Sequence, residues 1–215
     1  MPHDLDVCRE WHTLTDPFQT ALDFIWRPAN DGQPFHDDDP DDPGGPTAWG
    51  VTYETWAFWR HTHNYPASLA TFSLLARIEF VPFYRECVWA PCRCDDIPPA
   101  IALGLFDATV MSGMGRSIRF LQSALGVPAD GVFGPVTMAA LNAIQKLPDL
   151  VMRFCEARGE FYDKLRGEVK YDAGWHRRAA DCAKLALTLI PSTPLPPSDA
   201  DALNEAELSK MGDNE

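Results

Sequence analysis

A mainly α-helical fold with one small loop or hairpin region follows from three features of this 215-residue sequence. Apolar residues recur at steps of three and four over much of the chain, which places them on single helix faces. Helix-starting signals precede several of these runs. Five prolines and four glycines fall within residues 28–50, so irregular structure is concentrated there, with room for a short hairpin.

The elements follow in order. Asp16-Pro17 supplies an N-cap and a first-turn proline. Phe18, Ala21, Leu22 and Ile25 then form a stripe, and Arg27-Pro28 closes this helix. Thr52 caps a second helix carrying Tyr53, Trp56 and Ala57. A third starts after Ser68, and Pro82 is expected to kink or end it. From Pro99 the pattern is helical: Ile118, Leu121 and Leu125 share a face closed by Gly126, and Val136, Ala140, Leu141 and Ile144 share another. Leu150, Phe154, Ala157, Phe161 and Leu165 make the most regular stripe. A last helix is expected from about Arg178 to Ile190, before Pro191.

Composition narrows the function. A formal net charge of −13 argues against nucleic acid as the main partner, because phosphate binding needs clustered Lys and Arg. Acidic residues concentrate in Asp37-Asp38-Asp39-Pro40-Asp41-Asp42 and in the Pro-rich tail 191–215, which reads as a loose end. No apolar run reaches the roughly 20 residues of a membrane span. The opening Met1-Pro2-His3-Asp4 lacks a secretory-signal pattern. Cysteines stand at 8, 87, 92, 94, 155 and 182; the C-x4-C-x-C spacing is not a zinc pattern, and His61-x-His63 on a helix does not share a face. No metal or cofactor is expected. Gly-x-Ser-x-Gly is absent, and Ser112-Gly113-Met114-Gly115-Arg116 lacks the strand and lysine of a phosphate loop.

One segment carries chemistry: Asp41-Asp42-Pro43-Gly44-Gly45-Pro46-Thr47-Ala48-Trp49-Gly50-Val51-Thr52. Together with the preceding amphipathic helix it resembles glycoside hydrolase family 108, the muramidases of phage endolysins and bacterial lytic proteins. Further stretches fit the resemblance: Tyr84 to Trp89 with Cys94-Asp95-Asp96-Ile97-Pro98, then Phe106-Asp107 with Ser112-Gly113. Arg158…Phe161-Tyr162…Gly174-Trp175…Arg177 is similar to the family's closing pattern. The resemblance spans roughly residues 16–185 and implies a lysozyme-like helical fold, with the hairpin region at the active site and a C-terminal helical bundle.

Glycoside hydrolysis needs a carboxylic acid for the leaving oxygen and usually a second carboxylate. The resemblance offers Asp42 as the second carboxylate, with Asp41 the adjacent alternative, and Thr47 to position water. The family's acid is a Glu in Glu-Gly-Gly-Tyr, nine residues before the Asp. Here that spacing lands on Gln33, whereas local matching aligns Asp31-Gly32-Gln33-Pro34-Phe35 with the motif and makes Asp31 the acid. Asp31-Gly32 also reads as an ordinary turn. An Asp is one methylene shorter than Glu, and a displacement of about 1 Å at a reacting group costs on the order of a hundredfold in rate. Gly44, Gly45, Trp49 and Tyr53 are the candidate substrate-contacting residues; the aromatic pair, like Trp56, either stacks on sugars or fills the core. Glu54 and Glu79 are further carboxylates on helices, and Asp107, amid apolar neighbours, is expected to be buried and hydrogen-bonded.

A second segment, Asp130-Gly131-Val132-Phe133-Gly134-Pro135-Val136-Thr137, is similar to the peptidoglycan-binding segment that accompanies the family. Each residue also has a folding role: Asp130-Gly131 a tight turn, Gly134-Pro135 a helix start, and Thr137 a hydroxyl to satisfy a free N–H. The expected organisation is an N-terminal extension 1–15, a lysozyme-like catalytic region 16–110, a peptidoglycan-binding-like region 111–190 and the acidic tail 191–215. The expected activity is a muramidase acting on peptidoglycan glycan strands at the cell wall or periplasm, delivered by a phage holin or a secretion machine. The alternatives are an inactive peptidoglycan-binding module and an interaction protein that presents its acidic loop or tail to a basic partner.

Overall fold

A computed structural model describes residues 16–27, 34–35, 45–165 and 172–191. The expectations for the N-terminal extension, for Pro28 to Gln33, for the acidic run and for the tail beyond 191 lie outside these residues.

Helix α1, Pro17–Ile25, begins as its sequence dictates: the Asp16 carboxylate accepts from the Phe18 N–H at 2.9 Å, and Pro17 fills the first turn. Phe18, Ala21, Leu22, Phe24 and Ile25 are all buried. Strands β1, Thr47–Ala48, and β2, Val51–Thr52, pair antiparallel with Thr47 opposite Thr52 and Ala48 opposite Val51. Thr52 then caps α2, Tyr53–Thr62, accepting from the Thr55 N–H. Ser68 caps α3, Leu69–Phe72, in the same way. A 3-10 turn, Arg77–Phe80, leads into α4, Val81–Tyr84, and a π-helical turn, Arg85–Trp89.

Pro82 corrects the sequence expectation. It neither kinks nor ends a helix from Ser68, because α3 stops at Phe72. Pro82 occupies the first turn of α4, where its missing N–H would have had no intrahelical acceptor.

Helix α5, Pro99–Ser112, is the centre of the molecule: every residue from Pro99 to Ala108 is buried. A helix apolar on all sides needs partners on all sides. They are α1, α6 (Met114–Leu125), α8 (Leu147–Lys164) and α9 (Asp172–Thr188). Helix α7, Pro135–Asn142, packs on α6. Gly126 ends α6 in the left-handed conformation, as expected.

Three periodicity expectations need adjustment. Val136 is 65 % exposed and Leu165 38 % exposed, so the stripes of α7 and α8 stop short of those residues. On α8 the buried face includes Arg158 and Tyr162 instead. Helix α9 starts at Asp172, six residues before the expected Arg178, because the apolar criterion passes over its polar first turns. The architecture is therefore mainly α and lysozyme-like, with a two-stranded hairpin as the sheet among the described residues.

Candidate active site

The hairpin is built around an unusual turn. Trp49 has φ +54° and Gly50 φ +84°, the double left-handed geometry of a type I′ turn. Gly suits its position for a second reason: a Cβ on Gly50 would lie 3.0 Å from the Tyr84 hydroxyl. A tryptophan in the left-handed region is costly and persists only when its surroundings hold it there. Two long-range hydrogen bonds do so. The Trp49 indole N–H donates to the Leu75 carbonyl at 3.0 Å, and the Tyr84 hydroxyl donates to the Trp49 carbonyl at 2.8 Å. Burial pushes the Tyr84 phenol well above its ordinary value, with Arg178 opposing, so it remains a donor.

Thr47 stands half-buried on β1, and its hydroxyl donates to the Gly45 carbonyl at 2.9 Å. With its proton committed, the oxygen is left to accept from a water or sugar hydroxyl. Gly45 has φ +63° and open space around its Cα. The Tyr53 N–H donates to the Pro46 carbonyl at 2.7 Å, which fuses the hairpin to the start of α2. The Tyr53 ring lies edge-on to Phe72 at 5.5 Å and near Trp56, so much of its surface serves the core. Phe35 meets Phe72 at 6.2 Å and so joins the same aromatic cluster. Of the expected site residues, Thr47, Gly45, Trp49 and Tyr53 thus come together at the hairpin. Asp31, Gln33, Asp41, Asp42 and Gly44 lie outside the described residues.

The other carboxylates have structural tasks. Glu79 accepts from the Ala76 N–H at 2.9 Å and closes the 3-10 turn. Glu54 sits exposed in the first turn of α2, where the helix dipole favours it. Asp107 is fully buried between two guanidiniums: Arg158 donates to one oxygen and Arg178 to the other, each at 2.8 Å. Burial alone would raise this carboxyl, but the two positive charges and their hydrogen bonds outweigh it and hold the group below its ordinary value. The buried arginine of α9 is therefore Arg178. Arg177, the residue matched from sequence, is exposed, because one step along a helix turns a side chain by about 100°.

The 130–137 segment is organised by a residue that sequence reasoning missed. Gln122 of α6 is buried; its amide faces the Asp130 carboxylate at 2.6 Å, the Val132 carbonyl at 3.0 Å and the Thr137 hydroxyl at 3.1 Å, and its carbonyl accepts from the Gly131 N–H. The only signal was a polar residue four positions after Ile118, on an otherwise apolar face. Asp130 also accepts from the Val132 N–H, and these hydrogen bonds hold its carboxyl below the ordinary value. Gly131 has φ +81°, and a Cβ there would lie 2.8 Å from the Gly115 carbonyl. Gly134 and Pro135 open α7. Thr137 departs from expectation: buried, it bonds Gln122 and the Val132 carbonyl rather than a helix N–H.

A central buried helix ringed by four others, with a hairpin locked at one side, defines the class: a lysozyme-like helical protein. The comparison with known families is specific. Residues 30–113 match the glycosyl hydrolase 108 family, and residues 116–180 match the family described as Predicted Peptidoglycan domain. The two matches follow one another along a single chain. A solved structure of Brucella abortus SagA is 28 % identical, covering 83 % of this chain and 98 % of that one with a TM-score of 0.71. No curated protein sequence matches the chain. No helix among the described residues is long and apolar enough to cross a membrane.

Proposed function

We propose that this chain is a muramidase that hydrolyses the β-1,4 bond between N-acetylmuramic acid and N-acetylglucosamine in peptidoglycan. The observation that carries the reading is the pairing of a glycosyl hydrolase 108 segment with a peptidoglycan domain in a single polypeptide. In this reading Asp31 protonates the leaving oxygen, Asp42 is the second carboxylate, and Thr47 orients a water through its free lone pairs. Trp49 has its indole N–H committed to Leu75, so it meets a sugar through its ring face. The wall, reached through a holin or a secretion system, is the place of action.

Loss of turbidity of purified peptidoglycan, with mass spectrometry of the fragments, tests the reading against an Asp31→Asn variant. Products ending in reducing muramic acid, released by the native protein and reduced at least a hundredfold in the variant, are expected. Wall binding without cleavage by the native protein would instead establish a peptidoglycan-binding module. Gln33 at the family's nine-residue spacing favours that second reading.

A further inference from the structure

Helices α8 and α9 run antiparallel in a register fixed by several contacts. Arg158 and Arg178 meet on Asp107, Gly159 faces the His176 ring, and Tyr162 packs on Trp175 at 5.6 Å. One turn further along, the same register brings Cys155 opposite Cys182. Both line one cavity of about 10 Å³, room for a single water, and Val151 and Ala186 flank them within it. Around Cys182 the α9 residues on this cavity are alanines, Ala179, Ala183 and Ala186. A disulfide needs Cα atoms about 4.4–6.8 Å apart, and small side chains such as these favour close approach of two helices. Cys155 is half-buried and so reachable from solvent, whereas Cys182 is 1 % exposed.

We propose that Cys155 and Cys182 are a disulfide-forming pair that staples α8 to α9 in an oxidising compartment. A glutathione disulfide serves as oxidant. The Cys155 thiolate attacks one of its sulfurs and releases one glutathione thiolate. The Cys182 thiolate then attacks Cys155 Sγ and releases the second. Two protons leave, the two cysteines lose two electrons, and the oxidant gains them. Burial raises both thiols, Arg158 opposes this at each, and Glu156 near Cys155 and Asp107 near Cys182 reinforce it. Closure is therefore slow at neutral pH, where little thiolate is present.

The test uses the full chain, incubated with oxidised glutathione, alkylated, digested and analysed without reduction. The expected product is a peptide pair joined through Cys155 and Cys182, with Tm raised by roughly 5–10 °C for a loop of about 28 residues. Dithiothreitol abolishes the rise, and Cys155→Ser, a change at a half-buried position, never shows it. A glutathione adduct left on Cys155 with Cys182 reduced, or bridges through Cys87, Cys92 or Cys94 instead, would overturn the proposal, as would no linkage at all. The readout is independent of wall cleavage, so it stands or falls apart from the muramidase reading.

Discussion

Replacing Asp107 by Asn tests whether the interior is held by charge. The carboxylate is fully buried, and its two partners are 1 % and 5 % exposed, so solvent screens almost nothing. Each oxygen accepts one charge-assisted hydrogen bond at 2.8 Å. Asparagine keeps the shape and one acceptor but turns an NH2 toward a guanidinium donor, and the buried negative charge that the two guanidiniums share is lost. Breaking a buried pair in this way costs about 3–5 kcal/mol. For a chain of this size that corresponds to a fall in Tm of roughly 10 °C or more. Urea denaturation at neutral pH should show a lower midpoint with an unchanged slope. The pH dependence gives a second check. Because the folded carboxyl lies below its unfolded value, its contribution is present above about pH 4 and is lost as pH falls through the folded value. The gap between native and variant protein should therefore shrink in acid. A loss below about 1 kcal/mol at neutral pH would refute the assignment of this triad as a principal support of the core.

Gly131→Ala should lower stability by about 2 kcal/mol, since its Cβ meets backbone in a left-handed turn, whereas Gly134→Ala, extended and uncrowded, should change little. Equal melting temperatures for the two would count against that account. Tyr84→Phe leaves the Trp49 carbonyl without its donor and should cost about 1–3 kcal/mol, with faster amide exchange at the hairpin as the signature. Thr47→Val should reduce peptidoglycan cleavage at least tenfold while Tm holds within a few degrees, as expected for a residue that orients water; unimpaired cleavage would remove Thr47 from the mechanism.

The helix starts at Asp16, Thr52 and Ser68 were legible because a cap is written within four residues of sequence. The stripe of α1 was legible because its apolar face meets one packed interior. The ends of α7 and α8 were not, since whether Val136 or Leu165 finds a partner depends on distant elements. Arg158 and Arg178 were hidden for a related reason. A charged residue reads as solvent-facing until its counter-ion is known, and Asp107 lies 51 and 71 residues away from them. At the hairpin, the Gly-rich sequence announced a turn, but Trp49 in a left-handed conformation became intelligible only through Tyr84 and Leu75.

Asp107 belongs to the segment that matches glycosyl hydrolase 108, while both of its arginines belong to the segment that matches the peptidoglycan domain. The seam drawn between families thus runs through the middle of one electrostatic knot. A first segment expressed alone would carry the Asp107 carboxylate on the face left by α8 and α9, and the second would lack the carboxylate that two of its arginines share. Grafting a foreign C-terminal segment would succeed only if the donor brought an arginine at each of the two helix heights. Lineages that carry this arrangement would be expected to inherit the two segments as a unit, with recombination between them filtered out by the folding of the product.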